Sequence, residues 1–339
     1  MIKSLVLTVG LVLGFTSQAF SEAKEVTLYT QRHYAFDEII VAKLQEETGI
    51  KVNVVKASAD ELITRLQEEG ENTPADLFMT ADGAGLDRAH KAGLLQPITS
   101  EAVTSAVPAT LKDPENHWVA VTQRARVIVY SPDRVDPAEL STYEDLADPK
   151  WRGRIVVRSS SNAYNISLLA TLISEIGVEK ATEWAAGVRK NMARPPQGSD
   201  RDQIRAVAAG LADVALANTY YLGLLETSEE AKDREAAAAV KIFFPNQEGR
   251  GAHVNISGIG VVKGTAKAEL AEEVIEFLLS EKVQAMYPEN TFEFPVNPAA
   301  SLSDVQKRWG KFKADDVPLS TMGEFNAEAV RTFNRAGWE

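Results

Sequence analysis

The chain has 339 residues, 45% of them hydrophobic and 25% charged, with 36 Lys and Arg against 48 Asp and Glu for a net charge of −12. That is globular composition, long enough for about two domains, and it excludes extended disorder, collagen and coiled coil as the main architecture. An acidic chain without a basic run is a poor partner for nucleic acid or an anionic membrane surface, and the absence of cysteine excludes disulfides, Cys metal sites, a cysteine nucleophile and a lipidated cysteine.

Met1, Ile2 and Lys3 precede an apolar stretch at 5–15, and Ser17-Gln18-Ala19 and Ser21-Glu22-Ala23 place small residues at cleavage spacing. Residues 1–23 therefore predict a cleaved secretory signal, since the stretch is too short to span a bilayer. The mature chain is expected to be exported to a Gram-negative periplasm, soluble and without a lipid anchor.

Strands and helices then alternate. Residues 25–29 (EVTLY) predict a strand, 36–48 a helix ended by Gly49, 51–56 a strand, 60–69 a helix and 75–79 a buried strand. A helix to Ala92 follows, then strands at 118–121 and 126–130. A helical turn at 144–146 and a strand at 154–158 come next, then helices at 166–176, 179–190 and 201–209. Strands at 213–217, 241–244 and 258–262 and helices at 270–279 and 327–334 complete the set. Residues 229–239, acidic and Ala-rich, predict a solvated helix. This alternation implies α/β lobes built on mostly parallel sheets flanked by helices, with ligands bound where strands lead into helices.

Three such junctions carry tyrosine: Tyr34 after the first strand, Tyr164 after the strand at 154–158, and Tyr220-Tyr221 after the strand at 213–217. Four of the eight tyrosines sit in these three loops. A phenol with a pKa of about 10 is neutral unless a cation inverts that preference. Hard, highly charged cations select oxygen donors, and three phenolates cancel the charge of ferric iron. The alternative is amphipathic packing of each ring at a domain edge. His33 beside Tyr34 is a candidate ligand or a plain hydrogen-bonding residue. His90, His117 and His253 stand isolated in the sequence and receive no role. Ser159-Ser160-Ser161 lacks the elbow and partner pattern of a nucleophile. Arg124 and Arg126 alternate on one strand, so both point to one face.

The motifs Arg32-His33-Tyr34, Asn162-Ala163-Tyr164 and Asn218-Thr219-Tyr220-Tyr221 resemble those of the periplasmic ferric-ion-binding proteins of ABC importers, the bacterial transferrins. The likeness extends to Pro74-Ala75-Asp76-Leu77-Phe78, to 124–130 (RARVIVY) and to Gly258-Ile259-Gly260-Val261, and so covers essentially the whole mature chain. It implies a type II periplasmic binding protein: two α/β lobes with Fe(3+) in the interlobe cleft. It also implies delivery to an inner-membrane ABC permease by a monomer that is not an enzyme. By the resemblance Tyr164, Tyr220 and Tyr221 are ligands, Tyr34 is the fourth, and His33 is a fifth or lies just outside. Arg124 becomes either a charge-compensating cation or the holder of a synergistic anion such as carbonate. Some members of the family use a glutamate in the loop that is Thr80-Ala81-Asp82-Gly83 here. Its absence resembles the tyrosine-rich branch, which needs little or no added anion. Asp82 either substitutes for that glutamate or caps a helix. The expected lobes are 24–122 plus 246–294 and 123–245 plus 295–339. Two further functions stay open: an oxyanion or small organic solute carrier of the same fold, and a non-haem iron oxidoreductase. Tyrosine-saturated coordination disfavours the latter, since catalysis needs an open position.

Overall fold

The computed structural model describes residues 24–32 and 34–338; the expected signal sequence at 1–23 and the candidate ligand His33 lie outside the described residues. Among the described residues, ten strands join in one curled sheet: β1 (Glu25–Thr30), β2 (Lys51–Lys56), β3 (Leu77–Thr80), β4 (Leu95–Gln96), β5 (Val119–Tyr130), β6 (Ile155–Val156), β7 (Val214–Asn218), β8 (Lys241–Phe243), β9 (Val254–Val262) and β10 (Phe294–Pro295). The path across the sheet is β2-β1-β3-β9-β5-β7-β6, with β4 on β9 and both β8 and β10 on β5. No helix of the described residues is long and apolar enough to cross a membrane.

The parallel pairs are β1/β2, β1/β3 and β6/β7. They are the strand–helix–strand units legible in the sequence. The centre of the sheet departs from the expected parallel pattern. There β9 runs antiparallel to both β3 and β5, and β5 antiparallel to β7 and β8. One strand leads the chain out of the first half and another brings it back, so the two must lie head to tail. β3, β7 and β9 are buried along their whole length. Both of their faces are covered, and that is why residues 77–79, 214–217 and the later half of β9 read as continuous apolar runs, while Asn255 and Ser257 interrupt the first half of β9.

One apolar core gathers Phe78, Trp118 and Tyr287 with β1, β3 and the first part of β5. Two others lie on either side of β6 and β7, one around Trp151, Trp184 and Trp338 and one around Val127, Ile204 and Leu222. Fully burying a side chain of this size contributes about 1.5–3 kcal/mol, so each core anchors its part of the sheet independently. The helix Ala35–Thr48 ends as expected at Gly49, whose φ of 74° is open to glycine and strained for other residues. The two helices expected at 166–176 and 179–190 run end to end as Ala163–Asn191, broken at Gly177, where φ is 82° and ψ 160°. The helix Ala231–Ala238 answers to the acidic, Ala-rich stretch, although it buries Asp233, Ala236 and Ala237 instead of being wholly solvated.

Candidate functional site

Every tyrosine picked out in the sequence stands where a strand hands over to the start of a helix. Tyr34 follows β1 and occupies the N-cap of the helix Ala35–Thr48. Tyr164 lies in the first turn of the helix Ala163–Asn191, where the Asn162 side chain accepts from its backbone N–H at 3.1 Å. Tyr220 and Tyr221 lie in the first turn of the helix Thr219–Glu226, directly after β7. Helix N-termini present unpaired N–H groups and the positive end of the macrodipole, which favours negative charge on a phenol placed there.

The hydroxyls converge. Tyr34 Oη donates to Tyr220 Oη at 3.4 Å, and Tyr220 Oη donates to Tyr164 Oη at 3.1 Å. The Tyr221 ring lies on that of Tyr220 with centroids 4.2 Å apart. Octahedral donors about 2.0–2.1 Å from a small hard cation are roughly 2.9 Å from their neighbours. The observed spacings are therefore within a few tenths of an ångström of what one ion would impose. Tyr220 is 1% exposed; the other three are half-buried. Burial pushes the Tyr220, Tyr34 and Tyr221 phenols well above their ordinary range. Neighbouring phenols add to this for Tyr220, Glu293 and Tyr164 for Tyr34, and Tyr164 and Asp200 for Tyr221. Without a metal these groups are held neutral.

Five guanidinium groups surround the phenols. Arg32 lies 4.8 Å from the Tyr34 ring, and Arg201 5.8 Å from that of Tyr221. Arg124, Arg126 and Arg158 lie 5.4, 5.9 and 5.8 Å from that of Tyr164. Arg32 is paired with Asp37 and Glu293, and Arg126 with Asp200, which Arg158 approaches at 3.8 Å. Three carboxylates against five guanidiniums leave two positive charges around four phenols. A ferric ion with four phenolates carries one negative charge, which this surplus offsets.

Arg124 and Arg126 both point into the site, as their alternation on β5 predicts. Arg126 is locked by Asp200 at 2.9 Å, Asn218 at 3.0 Å and Asn165 at 2.7 Å. Arg124 donates one Nη to Ser257 Oγ at 3.3 Å and the other to the Ala81 carbonyl. Its Nε makes no hydrogen bond, and neither do Arg126 Nε, Asn218 Nδ2, Asn255 Nδ2 or His253 Nε2. All five residues line a narrow recess beside Tyr164. Asp82 caps the helix Gly83–Lys91, its Oδ1 accepting from Gly85 N–H at 2.9 Å.

Two of the histidines left without a role are not isolated in space: the His90 and His117 rings are 4.0 Å apart. His253 is enclosed too, 3.2 Å from Thr171 Oγ1 and 3.5 Å from Asp315. Sequence reasoning missed Arg158, Arg201, Asp200 and Glu293. Arg158 alone left a signal, as the charged end of an apolar strand immediately before a polar loop.

Two α/β halves with a polar cluster at the strand–helix junctions between them make the architecture of a binding protein. The chain belongs to the bacterial extracellular solute-binding protein family, whose model matches residues 72–314. It is 48% identical to Iron uptake protein A1 of Synechocystis over 94% of this chain and 88% of that protein. Among solved structures it is similar to the Trichodesmium protein in complex with iron and citrate ligands, with a TM-score of 0.88 and 47% identity over 93% of this chain and 100% of that one. The ferric binding protein from Campylobacter jejuni matches with a TM-score of 0.87 and 42% identity over 93% of this chain and all of the other. These neighbours are two-lobed, and the α/β class expected from the sequence is the one observed, the antiparallel centre of the sheet apart.

Proposed function

We propose that this chain is a periplasmic carrier that holds ferric iron as its cargo between two lobes and delivers it to an inner-membrane ABC permease. The ligands are the phenolates of Tyr34, Tyr164, Tyr220 and Tyr221. The single observation that carries the proposal is the run of hydroxyls from Tyr34 through Tyr220 to Tyr164 at 3.4 and 3.1 Å, ringed by guanidiniums in excess of carboxylates. The names of the relatives support the same cargo. The lobes are taken as residues 24–122 plus 246–294 and 123–245 plus 295–339, with β5 and β9 as the crossing strands; the apolar cores follow this division except that Ala252 and Val254 pack with a core of the second lobe and Val296, Leu319 and Met322 with that of the first. The chain acts as a monomer after loss of residues 1–23, and it is a carrier rather than an enzyme.

Arg124 is the charge-compensating cation, because both of its Nη groups already serve the protein. By the family likeness His33 is either a fifth donor or lies just outside the ligand set; His33→Ala lowers the ferric affinity in the first case and leaves it unchanged in the second.

Iron-free protein titrated with ferric citrate tests the proposal. The expected outcome is a visible phenolate-to-iron charge-transfer band that saturates at one ion per chain. Saturation without a visible band would point instead to a carrier of oxyanions or organic acids.

A further inference from the structure

The paired histidines lie far from the tyrosines. His117 lies two residues before β5, the strand that carries Arg124, and seven residues of extended chain span roughly 23 Å. His90 occupies the last turn of the helix Gly83–Lys91. His117 directly follows the turn 113–116, closed by the bond from Asn116 N–H to the Asp113 carbonyl at 2.9 Å. Asn116 takes a φ of 60° to make that turn.

The local hydrogen bonds prepare this pair for a cation. Asp113 Oδ2 accepts from the backbone N–H groups of Glu115 and His117 at 3.0 and 3.1 Å, and it lies 3.1 Å from His117 Nδ1. A carboxylate on one ring nitrogen fixes the tautomer that leaves the other nitrogen's lone pair for a metal and raises its basicity. His90 Nδ1 is shielded from solvent and has no hydrogen-bond partner, an arrangement that costs about 1–3 kcal/mol unless something satisfies it. One ligand atom from each of His90, Glu115 and His117 lies within 4.8 Å of the other two. Glu115 is 76% exposed and can swing its carboxylate the remaining distance. Asp87 adds a further carboxyl within electrostatic reach of His90.

We propose that His90, His117 and Glu115 form a second binding site, for a divalent transition-metal ion, separate from the tyrosine cluster. Two imidazoles and one carboxylate are borderline donors that suit Zn(2+), Cu(2+) or Ni(2+); Ca(2+) and Mg(2+) prefer sites made wholly of oxygen. Three protein ligands leave a fourth tetrahedral position for water or for a donor from another molecule. Asp113 is a positioning residue, acting through His117.

Equilibrium dialysis of the untagged chain against Zn(2+), followed by metal analysis, tests this site. The unmodified chain is expected to retain one Zn(2+) that the His90→Ala/His117→Ala variant does not. The Tyr220→Phe/Tyr221→Phe variant is expected to retain that ion unchanged. Glu115→Gln alters only an exposed side chain, so its fold is safe, and it should weaken retention by about tenfold or more. Equal retention by the unmodified chain and the double-histidine variant would overturn the proposal. So would loss of the ion in the tyrosine variant, which would place it at the phenols, or full affinity in Glu115→Gln.

Discussion

Tyr220 is the middle member of the hydroxyl run and the most deeply buried, with Tyr221 stacked on its ring. Phe at either position keeps that packing and removes only the oxygen. Tyr220→Phe/Tyr221→Phe is therefore expected to fold as well as the parent and to bind ferric iron more than about a hundredfold more weakly, since even loss of a residue supporting a ligand costs 10–100-fold. Competition with a chelator at fixed pH measures this, and undiminished affinity would dismiss the two phenols as ligands. At this scale the sequence was readable where chemistry concentrates one residue type at equivalent positions, as it does with tyrosine. The counter-charges were not readable. Glu293 reaches Arg32 across 261 positions of chain, and Asp200 reaches Arg126 across 74. Nothing local distinguishes these carboxylates from those on the surface. The same holds for His90 and His117, which only the fold brings together.

Elements with a single apolar period were legible, and Gly177 correctly separates two helices. β5 was not. Its ends read as two strands, at 118–121 and 126–130, because Thr122, Gln123 and Arg124 interrupt the apolar run. In the fold it is one strand from Val119 to Tyr130; Thr122 and Arg124 face the buried polar cluster of Arg32 and Ser257, whereas Gln123 turns to the other face and donates to the Pro295 carbonyl. The helix Thr219–Glu226 depends on a different local feature. A Cβ on Gly223 would come within 2.4 Å of the Phe292 ring, whose own backbone is held at a φ of 57°. Gly223→Ala must push the helix away from Phe292, and such overpacking costs about 1–3 kcal/mol. The expected outcome is a lower thermal midpoint together with weaker iron binding, because the same helix carries Tyr220 and Tyr221. A lower midpoint with unchanged binding would mean that Phe292 yields and the helix does not.

For the molecule as a whole, the raised phenols set how cargo is exchanged with pH. In the free protein Tyr34, Tyr220 and Tyr221 hold their protons to well above pH 10, whereas a bound cation deprotonates them. At any pH below the free values, each ligating phenol releases one proton per ion bound, so affinity falls as pH falls and rises as it rises. Apparent ferric affinity measured from pH 5 to 8 should change by more than tenfold per unit, and by up to about a thousandfold per unit if Tyr34, Tyr220 and Tyr221 each release a proton. A flat profile would mean that the phenols stay protonated and do not ligate. The two-lobed outline and the junction tyrosines were legible at this scale. The antiparallel centre of the sheet was not, because strand direction depends on which segments return past each other.

The hydroxyls are shared unequally across the sheet. Tyr34 follows β1 on one side of the β5/β9 pair, whereas Tyr164, Tyr220 and Tyr221 follow β6 and β7 on the other. On the proposed ligand set, an arriving ion is expected to be captured in sequence, by the three donors on one bank first and by Tyr34 as the two banks come together. Loading followed by stopped-flow absorbance is expected to show a fast phase that scales with iron concentration and a slower one that does not. Tyr34→Phe should keep the first phase and lose the colour change of the second. Unloading by the same proposal runs the order backwards, with the lone tyrosine as the latch and the three-donor bank as the hand that passes the ion on.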